Sequence, residues 1–458
     1  MNSATAPIMT KDSPGIAVNH ESTLHFLRKI ISNPLQTIPP EAFHEPLVYS
    51  DIGGKPRIYL SDPAIIQDVF INKADFIVKG TMVQRILGPA LGNGLLTTDE
   101  GSNWRRQRQS IGPEFQHARL LDFQAEMIKA AERTRDRWSA LGSQAQIDLR
   151  HEMMLTTFDV IGETMLSGRQ EMDVFAIEQD IATYLKAAGW LMALEIMHAP
   201  AWTPFPGRRR SMAAARSMRQ AVVAMVARRR KENSRRDDLV SRLLATQDLE
   251  SGKSMSDEEI TDNLLTFIAA GHETTAQGLS WTFYLLSQHP EIETKVIKEI
   301  ENVTKGQALR PDHIAQLVYT RQVFSEAIRL YPPVPLFTRK VVKNFTLGDF
   351  TIPADAILIT PIFAVHRHTS LWDQPDQFIP ERFDPEQVKA RHRFSFLPFG
   401  AGPRTCIGNA FAMMEAVAIL AVLLPVFHLV YRSRQAPVPT LQVTLQPKHK
   451  LYIQVHGR

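Results

Sequence analysis

Cysteine is almost missing: 458 residues contain one, Cys406. A single thiol cannot close an intramolecular disulfide, and it cannot build a cysteine-rich zinc or iron–sulfur site. What remains for it is a buried structural position, nucleophilic catalysis, or one thiolate bond to a metal. An excess of one charge sign is missing too. Lysine and arginine number 52 against 48 aspartates and glutamates, a formal net charge of +4, which gives nucleic-acid binding no footing. No repeat, low-complexity tract or Pro/Gly/Ser-rich linker divides the chain, although its length alone suggests two or three domains. Nor is there a long unbroken apolar run. The longest, about Phe411 to Val430, is interrupted by Glu415 and Pro425 and reads as a buried core helix, not a membrane span. The first residues lack the apolar run of a signal peptide or anchor. A soluble, cytoplasmic protein is therefore expected, a single domain over 21–458 preceded by an N-terminus, 1–20, whose order is open.

What is present is a large core in the making, with 44% hydrophobic residues. Helical periodicity dominates. Strand signals are few: a hairpin over 46–60 turning at Gly53-Gly54, another over 344–360 turning near Gly348-Asp349, and a third pair over 441–455 broken at Pro447. The fold class is thus mainly α with smaller β-sheets. The clearest helix runs from Ser256 to Gln288. Ser256-Asp-Glu-Glu259 is a capping box at its start, and His289-Pro290 ends it. Arg228–Lys231 and Arg235-Arg236 form a basic cluster that reads as a solvated face, with docking of an acidic partner as the lesser reading.

Four short patterns could carry chemistry. Residues 399–408 read Phe-Gly-Ala-Gly-Pro-Arg-Thr-Cys-Ile-Gly, and a helix begins at Asn409. Cys406 then lies just before a helix N-terminus, where free amides and the dipole favour a thiolate. Gly400, Gly402 and Gly408 leave room for a flat partner, and Arg404 can pair with an anionic group on it. Inside the long helix, Ala270-Gly-His-Glu-Thr-Thr275 makes a polar notch in an apolar wall, where the helix can open locally. Glu326 and Arg329 share a helix face. Trp104 and Arg108, one turn apart, can both donate to a carboxylate. Taken singly, each pattern also has a bland reading: a structural cysteine, a strained helix, a surface ion pair, a basic helix end.

Together they resemble the cytochrome P450 family. Phe399, Gly402, Arg404, Cys406 and Gly408 fill every position of its haem-binding pattern Phe-x-x-Gly-x-Arg-x-Cys-x-Gly. Glu326 and Arg329 match its Glu-x-x-Arg motif, and Arg382 lies in Pro380-Glu-Arg-Phe383, its later Pro-x-Arg-Phe. Glu273 and Thr274 match its acid–alcohol pair, and Trp104 with Arg108 its Trp-x-x-x-Arg element. The resemblance implies the P450 fold and haem b (iron protoporphyrin IX) ligated through Cys406. It implies that Trp104, Arg108, Arg339 and Arg404 hold the haem propionates. Glu326, Arg329 and Arg382 would form a buried network that holds the cysteine loop. Thr274 would hydrogen-bond dioxygen during its activation, and Glu273 would help deliver the protons that O–O cleavage consumes.

By the same resemblance the substrate pocket takes in Leu95, Leu96, Phe267, Ala270, Val334, Leu336, Phe337, Val443 and Thr444. Nearly all are apolar, so a hydrophobic small molecule is expected: a fatty acid, terpenoid or steroid. Trp190–Met197 and the residues after it, to Pro206, form an expected mobile lid, with a permanently packed helix as the plainer alternative. The activity implied is a monooxygenase that puts one atom of dioxygen into its substrate. Electrons would come from separate proteins, a ferredoxin or flavodoxin with a reductase. The rivals are a haem-thiolate isomerase or dehydratase and a haem protein that binds ligand without turnover.

Overall fold

A helix of 32 residues, Asp257–Gln288, runs through the middle of the molecule. At the standard rise it is about 48 Å long. Its start is the expected capping box: Ser256 Oγ accepts from the Glu259 N–H at 3.2 Å, and Glu259 Oε2 accepts from the Ser256 N–H at 3.0 Å. Helices Leu149–Met165, Arg208–Glu232, Val318–Leu330 and Asn409–Leu423 pack around it. These relationships come from a computed structural model that describes residues 6–99, 101–142, 144–166, 168, 174–197, 199–232, 236, 238–246, 252 and 254–458.

The central helix is not an apolar wall with one polar notch. Thr261, Asp262, Asn263, Thr266, His272, Glu273, Thr275, Gln277, Ser280 and Thr282 are all buried along it. It tolerates them because the hydroxyls bond the carbonyl one turn back: Thr261 to Asp257, Thr266 to Asp262, Ser280 to Ala276, Thr282 to Gly278, at 2.6–2.8 Å. Thr274 and Thr275 do the same, to Ala270 at 2.8 Å and Gly271 at 3.2 Å. The helix therefore stays continuous at the position where a local opening was expected.

The class expected from periodicity holds: helices dominate, and the sheets are small. The largest sheet has six strands in the order Ala17–Asn19, Leu47–Ile52, Lys55–Leu60, Ile357–Thr360, Phe337–Val341, Ile77–Val78. Its hairpin turns at Gly53-Gly54, both at positive φ, with Ile52 opposite Lys55. Two expected pairings differ. The second hairpin is only Phe345–Leu347 with Phe350–Ile352, and Ile357–Thr360 joins the large sheet instead. The third is Pro439–Leu441 with Leu445–Pro447, while Tyr452–Gly457 pairs with Phe427–Val430 and Ala145–Asp148. Proline can end a strand but not continue a ladder, so Pro447 separates two partners.

The long apolar run also divides. Asn409–Leu423 is a buried helix, as expected, but Phe427–Val430 is a strand beyond Pro425. Of the N-terminal segment, residues 1–5 lie outside the described residues. Met9 is buried, and Ala17–Asn19 pairs in parallel with Val48–Ser50. Arg228 to Lys231 end the helix Arg208–Glu232, and Arg235 of the basic cluster lies outside the described residues. Arg229 is not on a solvated face: it is buried against Asp238.

Candidate active site

The cysteine loop is folded by its own backbone. The Cys406 N–H donates to the Phe399 carbonyl at 2.9 Å, and Thr405 Oγ1 donates to the Gly402 carbonyl at 2.7 Å. Gly402 sits at φ +70°, and a Cβ there would lie 2.7 Å from the Phe70 carbonyl oxygen. That glycine is therefore required by a neighbouring backbone as well as by its own conformation. A Cβ on Gly408 would lie 4.0 Å from Cys406 Sγ, beside the thiol.

Cys406 is accessible, yet protein encloses it. A side chain that is both faces an interior space and not the bulk solvent. Burial pushes the thiol above its ordinary value. The Gly408 N–H and the Arg108 charge act in the opposite direction without overcoming it. The helix terminus alone thus does not make a thiolate, as the sequence suggested; a coordinated metal ion would, since its charge deprotonates a bound thiol outright.

Around this loop the structure gathers cations. The Arg404 guanidinium stacks 4.2 Å over the Trp104 ring and donates to the carbonyls of Leu95 at 3.3 Å and Thr98 at 3.1 Å. Arg108 is half-buried and has no carboxylate partner among the described residues; the charge that acts on it is that of Cys406. Arg339 lies over Phe70 and Phe337, and Phe70 is the residue that Gly402 abuts. An enclosed thiol ringed by guanidiniums and an indole is the donor set that an iron porphyrin with two carboxylates needs. The residues fit the group.

The structure brings Glu326, Arg329 and Arg382 together. Glu326 and Arg329 are fully buried and paired, and Arg382 Nε approaches Glu326 Oε1 at 3.4 Å. His366, unremarked in the sequence, carries this network to the loop. Its Nδ1 lies 3.1 Å from the Arg329 carbonyl, and its Nε2 accepts from the Leu397 N–H at 2.8 Å.

Between Ile260 and Leu286 the central helix is buried except at Ala269, Ala270, Gly271 and Thr274. Those four form its one accessible face, so Thr274 and Ala270 are placed together. Glu273 points elsewhere: its Oε1 accepts from Thr444 Oγ1 at 2.6 Å. Burial raises the Glu273 carboxyl above the usual carboxylate range, opposed by that hydrogen bond and by Arg150. Sequence reading placed Thr444 in the pocket but missed this contact.

The segment before Trp104 is fastened to the same helix. Asp262 accepts from the Asn93 N–H at 2.7 Å, and Asn263 accepts from the Leu95 N–H at 3.0 Å. Asn263 also donates to Gln107 at 2.7 Å, and Gln107 donates to the Asn93 carbonyl at 3.1 Å. Gly92-Asn-Gly94 was the available signal: a Cβ on Gly94 would lie 2.5 Å from the Asp262 carbonyl oxygen. Leu95 and Leu96 are fixed by this clasp. Phe267 is buried against Phe115 at 5.3 Å. Val443 packs with Ile86 and Leu191. Two expected pocket residues stand apart: Val334 is 40% exposed, and Leu336 packs with Ile38, Val48 and Tyr59. The expected lid is the helix Ala188–Ile196, packed on Thr23–Ser32 and Thr81–Leu91 and tied to Arg85 through Glu195 at 3.0 Å; His198 lies outside the described residues.

A helical fold with one enclosed thiol, a cationic collar and a buried acid beside an alcohol is an arrangement that could hold a haem and supply it with protons. Residues 32–455 match the family model of cytochrome P450, and the chain belongs to that family of haem monooxygenases. It is 34% identical to cyclooctatin synthase of Streptomyces melanosporofaciens over 91% of this chain and 89% of that one. It is 30% identical to pentalenene oxygenase of Streptomyces avermitilis, covering 94% of each. The crystal structure of the cytochrome P450DA heme domain superposes with a TM-score of 0.86 over 97% of this chain and 98% of that one, at 23% identity. No helix among the described residues is long and apolar enough to cross a membrane.

Proposed function

We propose that the protein hydroxylates or epoxidises a largely apolar small molecule of the terpenoid class, using haem b ligated by Cys406. One atom of dioxygen enters a C–H or C=C bond and the other leaves as water. The observation that carries this reading is Cys406 itself, enclosed yet accessible, beside the Gly408 amide and the Arg108 charge. Trp104, Arg108, Arg339 and Arg404 bind the two propionates. Phe399, Gly402 and Gly408 shape the loop, and Glu326, Arg329 and Arg382 hold it in place.

When bound, the haem supplies the redox chemistry that activates dioxygen. The chain supplies the protons and the dryness. Thr274 presents its hydroxyl oxygen on the accessible face of the central helix; its own proton goes to the Ala270 carbonyl, which leaves the oxygen free to accept a proton and relay it toward dioxygen. Burial raises the Glu273 carboxyl above the usual carboxylate range, and it passes protons to that face. Ala270, Phe267, Leu95 and Leu96 exclude water there. The terpenoid class is favoured by cyclooctatin synthase and pentalenene oxygenase. Electrons come from a separate ferredoxin or flavodoxin with its reductase, in the cytoplasm.

The test is the absorption spectrum of the reduced protein under carbon monoxide. A strongly red-shifted Soret band is expected, and Cys406→Ser should abolish it. A band at the position of histidine-ligated haem, or a colourless protein, would overturn the proposal. A panel of terpenes screened for substrate-induced spectral shifts then tests the substrate class against fatty acids and steroids.

A further inference from the structure

The turn between strands Pro439–Leu441 and Leu445–Pro447 is fastened to the central helix at two points. Thr444 Oγ1 donates to Glu273 Oε1 at 2.6 Å, and the Leu445 carbonyl accepts from Trp281 Nε1 at 3.2 Å. The far side of the turn is held as well: Leu445 N–H donates to the Pro333 carbonyl at 2.8 Å, and Leu441 N–H donates to Asn33 at 2.9 Å. Thr444 and Glu273 are both buried, at 4% and 7% exposure, so water does not compete for the carboxyl. Val443, which precedes Thr444, packs its side chain against the apolar cluster of Ile86 and Leu191.

Adjacent residues on a helix point about 100° apart. Thr274 lies on the accessible face, whereas the Glu273 carboxyl is turned to the hairpin. The charged group that acts on it from the neighbouring helix Leu149–Met165 is Arg150, which also acts on His272; Thr444 is the side chain that holds it. We propose that Thr444 is a positioning residue: its hydroxyl sets the orientation and proton affinity of Glu273, and so ties proton delivery to the turn that borders the substrate pocket. This rests on the monooxygenase reading given above.

Thr444→Val keeps the shape and removes the donor; Thr444→Ser keeps the donor. The protonated-carboxyl stretch of Glu273 is followed by infrared difference spectroscopy against pH, and identified by its loss in Glu273→Gln. The band should titrate at higher pH in Thr444→Val than in the unaltered protein, and return in Thr444→Ser. Turnover at saturating substrate gives the second readout, the fraction of electrons recovered as product. It should fall about ten-fold in Thr444→Val, the size of one lost hydrogen bond to a charged group, with the balance appearing as peroxide, and recover in Thr444→Ser. An unmoved titration, or a moved titration with unchanged coupling, would overturn the proposal. The infrared readout needs no turnover, so failure of the haem-thiolate reading would show separately, in the carbon monoxide spectrum.

Discussion

Arg329 and Glu326 are both wholly buried, and they meet through two parallel hydrogen bonds, Nε to Oε2 at 2.6 Å and Nη2 to Oε1 at 2.8 Å. The remaining guanidinium protons go to the carbonyls of His366, Pro375 and Gln377 at 2.7–3.0 Å, and Glu326 also accepts from the Ile379 N–H. A charge pair so far from water is worth having only when every donor is used, and here one arginine ties two stretches of backbone, at His366 and at Pro375–Gln377, to its own helix.

Arg329→Ala should therefore cost about 3–5 kcal/mol, because Glu326 and three carbonyls lose their partner in the interior. The expected result is misfolded or haem-free protein, read from the denaturant midpoint and the haem content. A stable, haem-loaded Arg329→Ala would refute it.

Gly402→Ala puts a Cβ 2.7 Å from a backbone oxygen at a φ of +70°. Neither can relax without moving the loop, so a loss of about 1–3 kcal/mol is expected, together with reduced haem retention. Gly408→Ala, with 4.0 Å of clearance to Cys406 Sγ, should leave the thermal midpoint nearly unchanged. Equal midpoints for the two variants would contradict this account.

Arg229 and Asp238 form a second buried pair, each side chain 1% exposed. Asp238 also caps the helix Leu239–Ala245, accepting from the Ser241 N–H at 2.7 Å. Arg229→Met alone should destabilise by about 3–5 kcal/mol. Adding Asp238→Asn, which keeps the cap and removes the stranded charge, should recover most of that loss in urea unfolding. A double variant no better than the single one would count against it.

Two buried histidines make the fold acid-sensitive. Burial lowers His272 to about 4, aided by Arg150 and opposed by its bond to the Ile268 carbonyl. His366 is held well below its ordinary value by burial and by the Arg329 charge. In the unfolded chain both titrate near 6.5. Below that pH the unfolded chain takes up protons that the folded chain refuses, so the stability these two histidines contribute is flat above about pH 7 and falls as pH drops from 6.5. Each histidine contributes a slope of up to about 1.4 kcal/mol per pH unit. In His272→Gln the slope between pH 6.5 and 5 should shrink by that share. An unaltered slope would show that His272 does not titrate this way.

Much of the site was legible because it is local. The capping box at Ser256, the turn at Gly53-Gly54 and the cysteine loop from Phe399 to Gly408 are each set by residues within a few positions of one another. The Glu326–Arg329 pair is local too, one helical turn apart. Periodicity failed where partners are distant. Nothing near Ile357 tells it to join Arg57–Tyr59 and leave Phe350–Ile352, because strand pairing is chosen by which edge lies closest in the packed core. Nor could the composition of the central helix reveal that its threonines are buried and satisfied by their own carbonyls.

By itself, then, the sequence determined the helical class, the single thiol and the motifs that place the chain among the cytochrome P450 monooxygenases. Only the tertiary structure decided which way the acid points, what holds the loop around Leu95 and why Gly402 must be glycine. Those outcomes join Glu273 to Thr444, Leu95 to Asn263 and Gly402 to Phe70, across separations of more than a hundred residues. A contact at such range is fixed by packing, where desolvation forces each buried polar group to find whichever partner the fold brings within reach.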